Sequence, residues 1–567
     1  MPALKISIPK PTPGHTLSIG SHHSEITSWV ARLPLFDAAI TVQKVLPVLV
    51  ELNRTEIDNT LRFHSMRLLT QALQHPIEVT RKKYLVIPLP LTDKHKTASN
   101  NIKQLLGEMA HGYKIIINNH ITVPNKRLSV EDISQTIYFA IQFIGRLILD
   151  RYLCYESQTP SVWLELTELY RYATILCVES APIDIGDNKQ STIEQVYLQI
   201  LLLVAIHPYR LTHGEATMCY KLMGDWSRHC KILKPPADWK PTNELVVRPT
   251  DYGVVYHARP DEDLSKFEDI RIINIDKLKA FMRTHSENGK GTSSTLSERL
   301  MRNMFKRLLE GWRSNNVRKS PRLDCANNIT IITGLNACYS IFGGRHPKID
   351  HPAHTKMRLI PIEGEYDDPW APAISNTRVD AGDASGFKVD DPTKDIWNEQ
   401  TLRPVLSDIP KSPSFKRYAA IQTDHSEMGL SVRFDFSSGL KPHVGELISY
   451  RPEESNKDEW KLGAIRWMEF SQKDGALGIK LFSFRPTPVA TKALAGVGKG
   501  GDLMQSLLLS PEGLDHPEAT IIVPASVYDT GTHLYVEMHK SPTKITLTSL
   551  HDFSNSFACY AFKITDI

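Results

Sequence analysis

Residues 424–434 read DHSEMGLSVRF, a short polar stretch that ends in a glycine and continues into alternating apolar and polar residues. Asp and Ser commonly start turns, and Gly429 permits a positive φ or a close approach of another backbone. The alternation from Leu430 to Phe434 is typical of a β-strand. The stretch therefore predicts a turn that leads directly into a strand.

A second short pattern lies about a hundred residues upstream. Residues 318–322 read RKSPR, so Arg318 and Arg322 stand four positions apart between a helical pattern and a strand pattern. A guanidinium group offers a planar fork that pairs with a phosphate or a guanine edge. A carboxylate such as Asp424 accepts hydrogen bonds from the ring N–H and amino group of guanine, and Ser426 adds a small hydroxyl. These side chains suit a ligand that carries both phosphates and guanines.

Further strand patterns accompany the two motifs in a fixed order. They cover residues 329–332, 335–341, 463–467 and 478–482. In this order the motifs resemble the PilZ domain family, over roughly residues 313–490. The resemblance implies a six-stranded antiparallel β-barrel that binds cyclic di-GMP, with Arg318, Arg322, Asp424, Ser426 and Gly429 as the binding residues.

The spacing of the two motifs departs from that of compact PilZ domains, since 102 positions separate Arg322 from Asp424. A proline-rich insertion at 345–412 accounts for the difference, and we expect it between the first and second barrel strands. Its stretch from Pro361 to Asp408 carries eleven acidic residues against four basic ones. Such a surface insertion is tolerable because loop-closure entropy grows slowly with length. Two roles remain open for it: a cover over the basic motif, or a separate small unit.

The N-terminal half reads as helix after helix. Ser129 and Asp132 form a helix start signal, and Pro160 suits the entrance of the next helix. A later helix begins at Thr295 with Glu298 and carries apolar residues on one face up to Trp312. From Arg299 to Arg322, eight basic residues stand against a single Glu. A helical layer with no polar constellation favours protein docking over catalysis.

The predicted fold class is α+β and multidomain: an all-helical N-terminal half, a PilZ-like six-stranded antiparallel β-barrel and a small C-terminal β domain. We predict the following segments: a flexible N-terminus at 1–24, a helical domain at 25–240, short strands and the basic helix at 241–312, the barrel at 313–490 with its insertion at 345–412, a linker at 491–514, and the small β domain at 515–567.

Composition excludes several protein classes. The chain has 567 residues, with 67 Lys and Arg against 63 Asp and Glu, so its net charge of +4 makes nucleic acid an unlikely partner. Seven scattered cysteines without a Cys-x-x-Cys pair indicate reduced thiols. The longest apolar run, near residues 196–206, is about half the length that crosses a bilayer. With no signal-like N-terminus, we expect a cytoplasmic protein with no membrane span.

No motif indicates catalysis, a catalytic cofactor or a metal site. His346, Asp350, His351 and His354 lie close together, but Pro347 breaks the stretch and the spacing of a zinc site is absent. The glycines from 496 to 501 lack the Gly-Lys-Ser/Thr of a phosphate loop. The sequence therefore predicts a protein that is not an enzyme.

The resemblance implies a bacterial receptor that reversibly binds cyclic di-GMP and relays its level to an unidentified protein partner through the helical half. Two alternatives remain open from the residues. One is a ligand-free scaffold with a degenerate PilZ barrel, and the other is an RNA-binding adaptor that uses the basic stretch.

Overall fold

The computed structural model describes the greater part of the chain. The described residues are 4–14, 16–123, 127–186, 188–248, 255–264, 266–267, 270–287, 304–305, 307–309, 311–312, 321–343, 415–453, 459–482, 486–494, 503–510, 519–538 and 541–565. The insertion at 345–412, the start signal at Thr295 and Glu298, Arg318, and the four residues considered for a metal site all lie outside these ranges.

Helices build the N-terminal half, as the sequence predicts. They are α1 (His23–Ala31), α2 (Ala38–Arg54), α3 (Asn59–Leu85), α4 (Asp93–Thr122), α5 (Val130–Leu153), α6 (Pro160–Ile175), α7 (Ile193–Ala205) and α8 (Glu215–Trp226), with a small hairpin of β1 (Ile183–Asp184) and β2 (Gln190–Ser191) before α7. The Ser129 hydroxyl caps α5 by accepting a hydrogen bond from the Asp132 amide at 3.0 Å. Pro160 is the first residue of α6, where its missing N–H costs no helical hydrogen bond.

The apolar face that the sequence assigns to the helix ending at Trp312 is buried in the core of the helical half. Met304, Phe305, Leu308 and Trp312 all join that core. The Trp312 indole N–H donates to the Leu202 carbonyl oxygen at 3.3 Å. This part of the chain is thus anchored to the helices just before the RKSPR motif begins.

A small sheet follows α8. Its strands are β3 (Lys231–Leu233), β4 (Leu245–Val247), β5 (Val255–His257) and β6 (Arg271–Asn274), and α9 (Asp276–Glu287) comes after them. The strand order is β3-β6-β4-β5, with antiparallel neighbours throughout. Valines and isoleucines fill these strands because β-branched side chains pack well on a pleated surface.

The middle of the chain forms the predicted six-stranded antiparallel barrel. Its strands are β7 (Leu323–Thr333), β8 (Tyr418–Ser426), β9 (Gly429–Asp435), β10 (Leu447–Pro452), β11 (Lys461–Phe470) and β12 (Asp474–Leu481). They close in the order β10-β11-β12-β9-β8-β7, and the insertion enters between β7 and β8. Alternate residues point inward, and the interior is apolar: Ile329, Ile331, Leu430, Val432, Phe434, Ile448, Ile465, Leu477 and Ile479.

One strand predicted from the sequence is a helix. The apolar run Leu335–Ile341 forms α10, which starts after Gly334, a residue with φ of 96°. Its residues Ala337, Cys338 and Tyr339 are buried on the outside of the barrel. A short apolar run fits a strand and a buried helix equally well by periodicity, so the sequence pattern could not separate the two.

The C-terminal region forms a second closed barrel. Its strands are β13 (Thr487–Ala493), β14 (Met504–Leu509), β15 (Thr520–Pro524), β16 (His533–Met538), β17 (Ser541–Phe553) and β18 (Phe557–Ile564), in the order β13-β14-β15-β18-β17-β16. The structure therefore differs from the predicted linker at 491–514 and the predicted start at 515. The first two strands, β13 and β14, are short and flank a glycine-rich stretch, so their sequence pattern indicates a strand only weakly.

The three parts of the molecule touch one another. The Phe470 amide of the first barrel donates to the Tyr155 carbonyl oxygen at 2.7 Å, just after α5. Arg466 pairs with Asp552 of the second barrel. An apolar cluster that includes Leu447, Leu507 and Phe557 joins the two barrels. Among the described residues, no helix has both the length and the apolar character needed to cross a membrane.

Candidate functional site

Arg322 stands directly before β7, at the rim of the first barrel. Its Nη1 donates to Asp424 Oδ2 at 2.6 Å and to Ser431 Oγ at 2.6 Å. The Arg322 side chain is 26% exposed and the Asp424 side chain 17%. A charge-assisted pair in this half-buried position is stronger than one in open solvent. The pair fixes the guanidinium group at the barrel surface while part of it still faces solvent.

Asp424 is held by backbone as well as by Arg322. Its Oδ1 accepts a hydrogen bond from the Ser431 amide at 3.0 Å. The register of β8 against β9 shifts between Gln422 and Asp424, so Thr423 is an extra residue in β8. A β-bulge bends its strand and changes the direction of the next side chain. The bulge therefore lets Asp424 lie beside Ser431 on the outer face of the barrel.

The turn between β8 and β9 contains the other two predicted residues. Ser426 pairs with Gly429 across a two-residue loop, and the Ser426 hydroxyl donates to the Gly429 carbonyl oxygen at 3.2 Å. A Cβ at Gly429 would collide with the Ile479 carbonyl oxygen of β12. Glycine is required here because a neighbouring backbone approaches too closely for any side chain.

The structure brings together four of the five residues predicted for the site. Arg322 and Asp424 are in direct contact, and Ser426 and Gly429 form the turn at the same end of the barrel. Arg318 lies outside the described residues. Sequence reasoning missed Ser431, which contacts both Arg322 and Asp424. Its outward position on β9 is the signal that could have identified it, since Leu430 and Val432 point inward.

The thiol of Cys325 reports on the charges near the site. Burial, and then the nearby Asp424 carboxylate, raise the pKa of this thiol above its usual value. The thiol is therefore uncharged at neutral pH, and Cys325 adds no negative charge beside Asp424.

The insertion joins the barrel at the end opposite to the site. Leu323 of β7 pairs with His425, whereas Ile331 pairs with Tyr418. Along eleven residues of β7, at about 3.3 Å per residue, the two ends lie roughly 30 Å apart. The points at which the chain leaves and re-enters the barrel are therefore remote from Arg322 and Asp424.

Comparisons with known proteins agree with this architecture. Three family descriptions match in chain order: "Cyclic-di-GMP receptor FimW, N-terminal domain" over residues 24–237, "Cyclic-di-GMP receptor FimW, middle PilZ domain" over residues 245–488, and "FimW C-terminal beta-barrel domain" over residues 489–565. The middle part of the chain, residues 245–488, thus matches a PilZ domain. The fold class and the family predicted from the sequence are both confirmed.

The likeness extends over all three parts of the molecule. The chain is 20% identical over 580 residues to the cyclic-di-GMP receptor FimW of Pseudomonas aeruginosa, covering 99% of this chain and 94% of the relative. No solved structure matches the chain significantly. The relative is named as a receptor, so neither the ligand-free scaffold nor the RNA-binding adaptor is favoured.

Proposed function

We propose that this protein is a cyclic di-GMP receptor that binds its ligand on the outer face of the PilZ barrel. One observation carries the proposal: Arg322 and Asp424, 102 positions apart in the chain, meet with 2.6 Å between Nη1 and Oδ2. The proposed binding residues are Arg318, Arg322, Asp424, Ser426 and Gly429, with Ser431 as a positioning residue. The similarity to a protein named as a cyclic-di-GMP receptor supports the choice of ligand.

The chemistry of the contacts suits this ligand. A guanidinium group has five N–H donors, and the two bonds described for Arg322 both use Nη1. The partly exposed group can therefore donate to a phosphate or a guanine while Asp424 holds it. Each carboxylate oxygen has two lone pairs, so Asp424 retains acceptor capacity for the N–H groups of guanine. A ligand with phosphates and guanines uses both partners of the pair.

Titration calorimetry of cyclic di-GMP into the full chain tests the proposal. We expect binding heat with the wild type and an affinity reduced about ten- to hundredfold by Arg322→Ala, since a hydrogen bond to a charged group contributes about 1.5–3 kcal/mol. Arg228→Ala is the matched control, because this arginine just after α8 is 63% exposed and lies outside the barrel. We expect it to bind like the wild type.

Two results would contradict the proposal in different ways. A wild type that produces no heat would overturn the receptor function itself. Equal affinities for the wild type and Arg322→Ala would overturn the site while leaving the receptor function standing. Thermal unfolding of each variant shows whether a lost signal reflects a lost fold.

We further infer that the receptor acts in the cytoplasm by binding, without catalysis, and signals to a protein partner through the helical half. Trp312 is fixed in the helical core, and Arg322 follows only ten positions later. Ligand binding at Arg322 would therefore act on a short connection between the two parts. Immobilised full-length protein should retain the partner differently with and without cyclic di-GMP, and Arg322→Ala should abolish that difference. Retention that ignores the ligand would contradict the relay.

A further inference from the structure

We propose that a cavity in the helical half binds a proline-rich segment of a partner protein. This inference rests on the proposed relay to a protein partner, and it names where that partner docks and which chemistry it carries. The cavity has a volume of about 210 Å³ and lies where the end of α5, the start of α6 and the residues after α7 meet. The lining residues that carry the inference are Tyr152, Gln158, Trp163, His207, Pro208 and Tyr209.

Aromatic rings and a proline form the walls of the cavity. Tyr152 and Tyr209 meet edge to face, with 5.2 Å between ring centroids. The Tyr209 hydroxyl donates to the Glu156 carbonyl oxygen at 2.9 Å, which fixes this ring in place. Trp163 and Pro208 line the same space. Walls of this kind suit a polyproline II segment, because its extended shape is already formed before binding and its rings pack against flat aromatic side chains.

Two hydrogen-bond donors in the walls lack a partner. Trp163 and Tyr152 are each only 5% exposed. Within the described part of the chain, neither the Trp163 indole N–H nor the Tyr152 hydroxyl makes a hydrogen bond. Buried tryptophan and tyrosine side chains usually find such a partner. The cavity that both residues line is the space from which a ligand can supply the missing acceptors.

The walls carry no fixed charge, which narrows the chemistry of the ligand. No Lys, Arg, Asp or Glu is among the described residues that line the cavity. Partial burial, and then the nearby Arg210 and His257, lower the pKa of His207, so its ring is uncharged at neutral pH. A phosphate or an acidic side chain would find no counter-charge here. A proline segment fits, because each proline offers a carbonyl acceptor and no N–H.

The cavity adjoins the contact between the helical half and the first barrel. Tyr155 and Ser157 lie between the lining residues Tyr152 and Gln158, and they hold the barrel through Phe470 and Glu469, with 2.7 Å between donor and acceptor in both bonds. A segment bound in the cavity therefore touches the same stretch of chain that contacts the barrel. Partner binding and the position of the barrel are thereby linked.

Fluorescence polarisation of labelled decaproline, titrated with the full chain, tests the cavity. We expect saturable binding by the wild type and none to a glycine-serine peptide of equal length. Trp163→Phe and Tyr152→Phe each remove one donor and keep an aromatic ring, so each should weaken decaproline binding about two- to tenfold, the effect of one hydrogen bond. Tyr172→Phe is the matched control, since Tyr172 is a buried residue of α6 that does not line the cavity. It should bind like the wild type.

Three results would overturn the inference. The first is a wild type that binds decaproline no better than the glycine-serine peptide. The second is equal affinity for the wild type, Trp163→Phe and Tyr152→Phe, with thermal unfolding showing that all three are folded. The third is displacement of decaproline from Arg322→Ala by cyclic di-GMP, which would place the nucleotide in the cavity. Calorimetry with cyclic di-GMP separates the two proposals: heat from the wild type without decaproline binding leaves the receptor function standing, and decaproline binding without that heat overturns the receptor function alone.

Discussion

At the scale of single residues, the site depends on a carboxylate with two tasks. Asp424 holds Arg322 through Oδ2 and accepts from the Ser431 amide through Oδ1. It is also the residue proposed to recognise guanine. Both tasks need the negative charge and two acceptor oxygens, which an amide side chain cannot supply.

Asp424→Asn should therefore weaken cyclic di-GMP binding by about 1–3 kcal/mol, the range for one bidentate contact to a base. The amide turns one acceptor into a donor that faces donors on Arg322 and guanine. Calorimetry against cyclic di-GMP measures the loss, with Asp225→Asn on the exposed end of α8 as the control. If Asp424→Asn binds as tightly as the wild type, Asp424 does not contact the base.

At the scale of elements, the sequence predicts strands better than it predicts their partners. Alternation identified β9, and the turn motif before it identified Gly429 and Asp424. Nothing in the local pattern shows that Ser431 meets Arg322, because their contact depends on the pairing of β7, β8 and β9. The helix α10 and the strands β13 and β14 were missed for a related reason: short segments take their conformation from the surface against which they pack.

The interface between the helical half and the first barrel contains His213, whose two ring nitrogens are buried. Burial lowers the pKa of His213 to about 4, and the neighbouring His443 adds to the effect. The His213 ring lies beside that of Tyr155, with 6.5 Å between centroids. In the unfolded chain its pKa returns to about 6.5. As the pH falls, His213 therefore takes up its proton at a higher pH in the unfolded chain than in the folded protein.

Protonation of His213 therefore lowers the free energy of unfolding as the pH falls below 6.5. This loss of stability is complete below pH 4. Between pH 7 and pH 5 this group alone should lower the free energy of unfolding by about 2 kcal/mol. Denaturant unfolding at both pH values measures the change. His213→Phe should depend less on pH than the wild type, and an identical pH dependence would show that His213 does not titrate in this way.

At the scale of the whole molecule, the barrel contacts both of its neighbours next to the proposed site. On β11, Arg466 pairs with Asp552 of the second barrel, and the Glu469 carboxylate accepts from the Ser157 hydroxyl at 2.7 Å. One strand thus contacts both other parts of the molecule. Movement of β11 on ligand binding would therefore change its contacts with the helical half and with the second barrel.

Hydrogen exchange measured by mass spectrometry tests this coupling in the full chain. Cyclic di-GMP should change amide protection around Phe470 and Tyr155, whose backbones are joined at 2.7 Å, as well as around Asp424. Arg322→Ala, with the same ligand concentration, should show neither change. Changes in protection confined to β8 and β9 would mean that ligand binding to the barrel does not affect the helical half.

The attachment of the long segment between β7 and β8 has a consequence for how such receptors diversify. Gly343 and Phe415 flank it at the rim remote from Arg322. Because closing a longer loop costs little extra entropy, this stretch can lengthen, shrink or change its composition over evolutionary time while the messenger chemistry at the opposite rim is preserved. A receptor whose sequence has diverged in this segment should therefore still bind cyclic di-GMP.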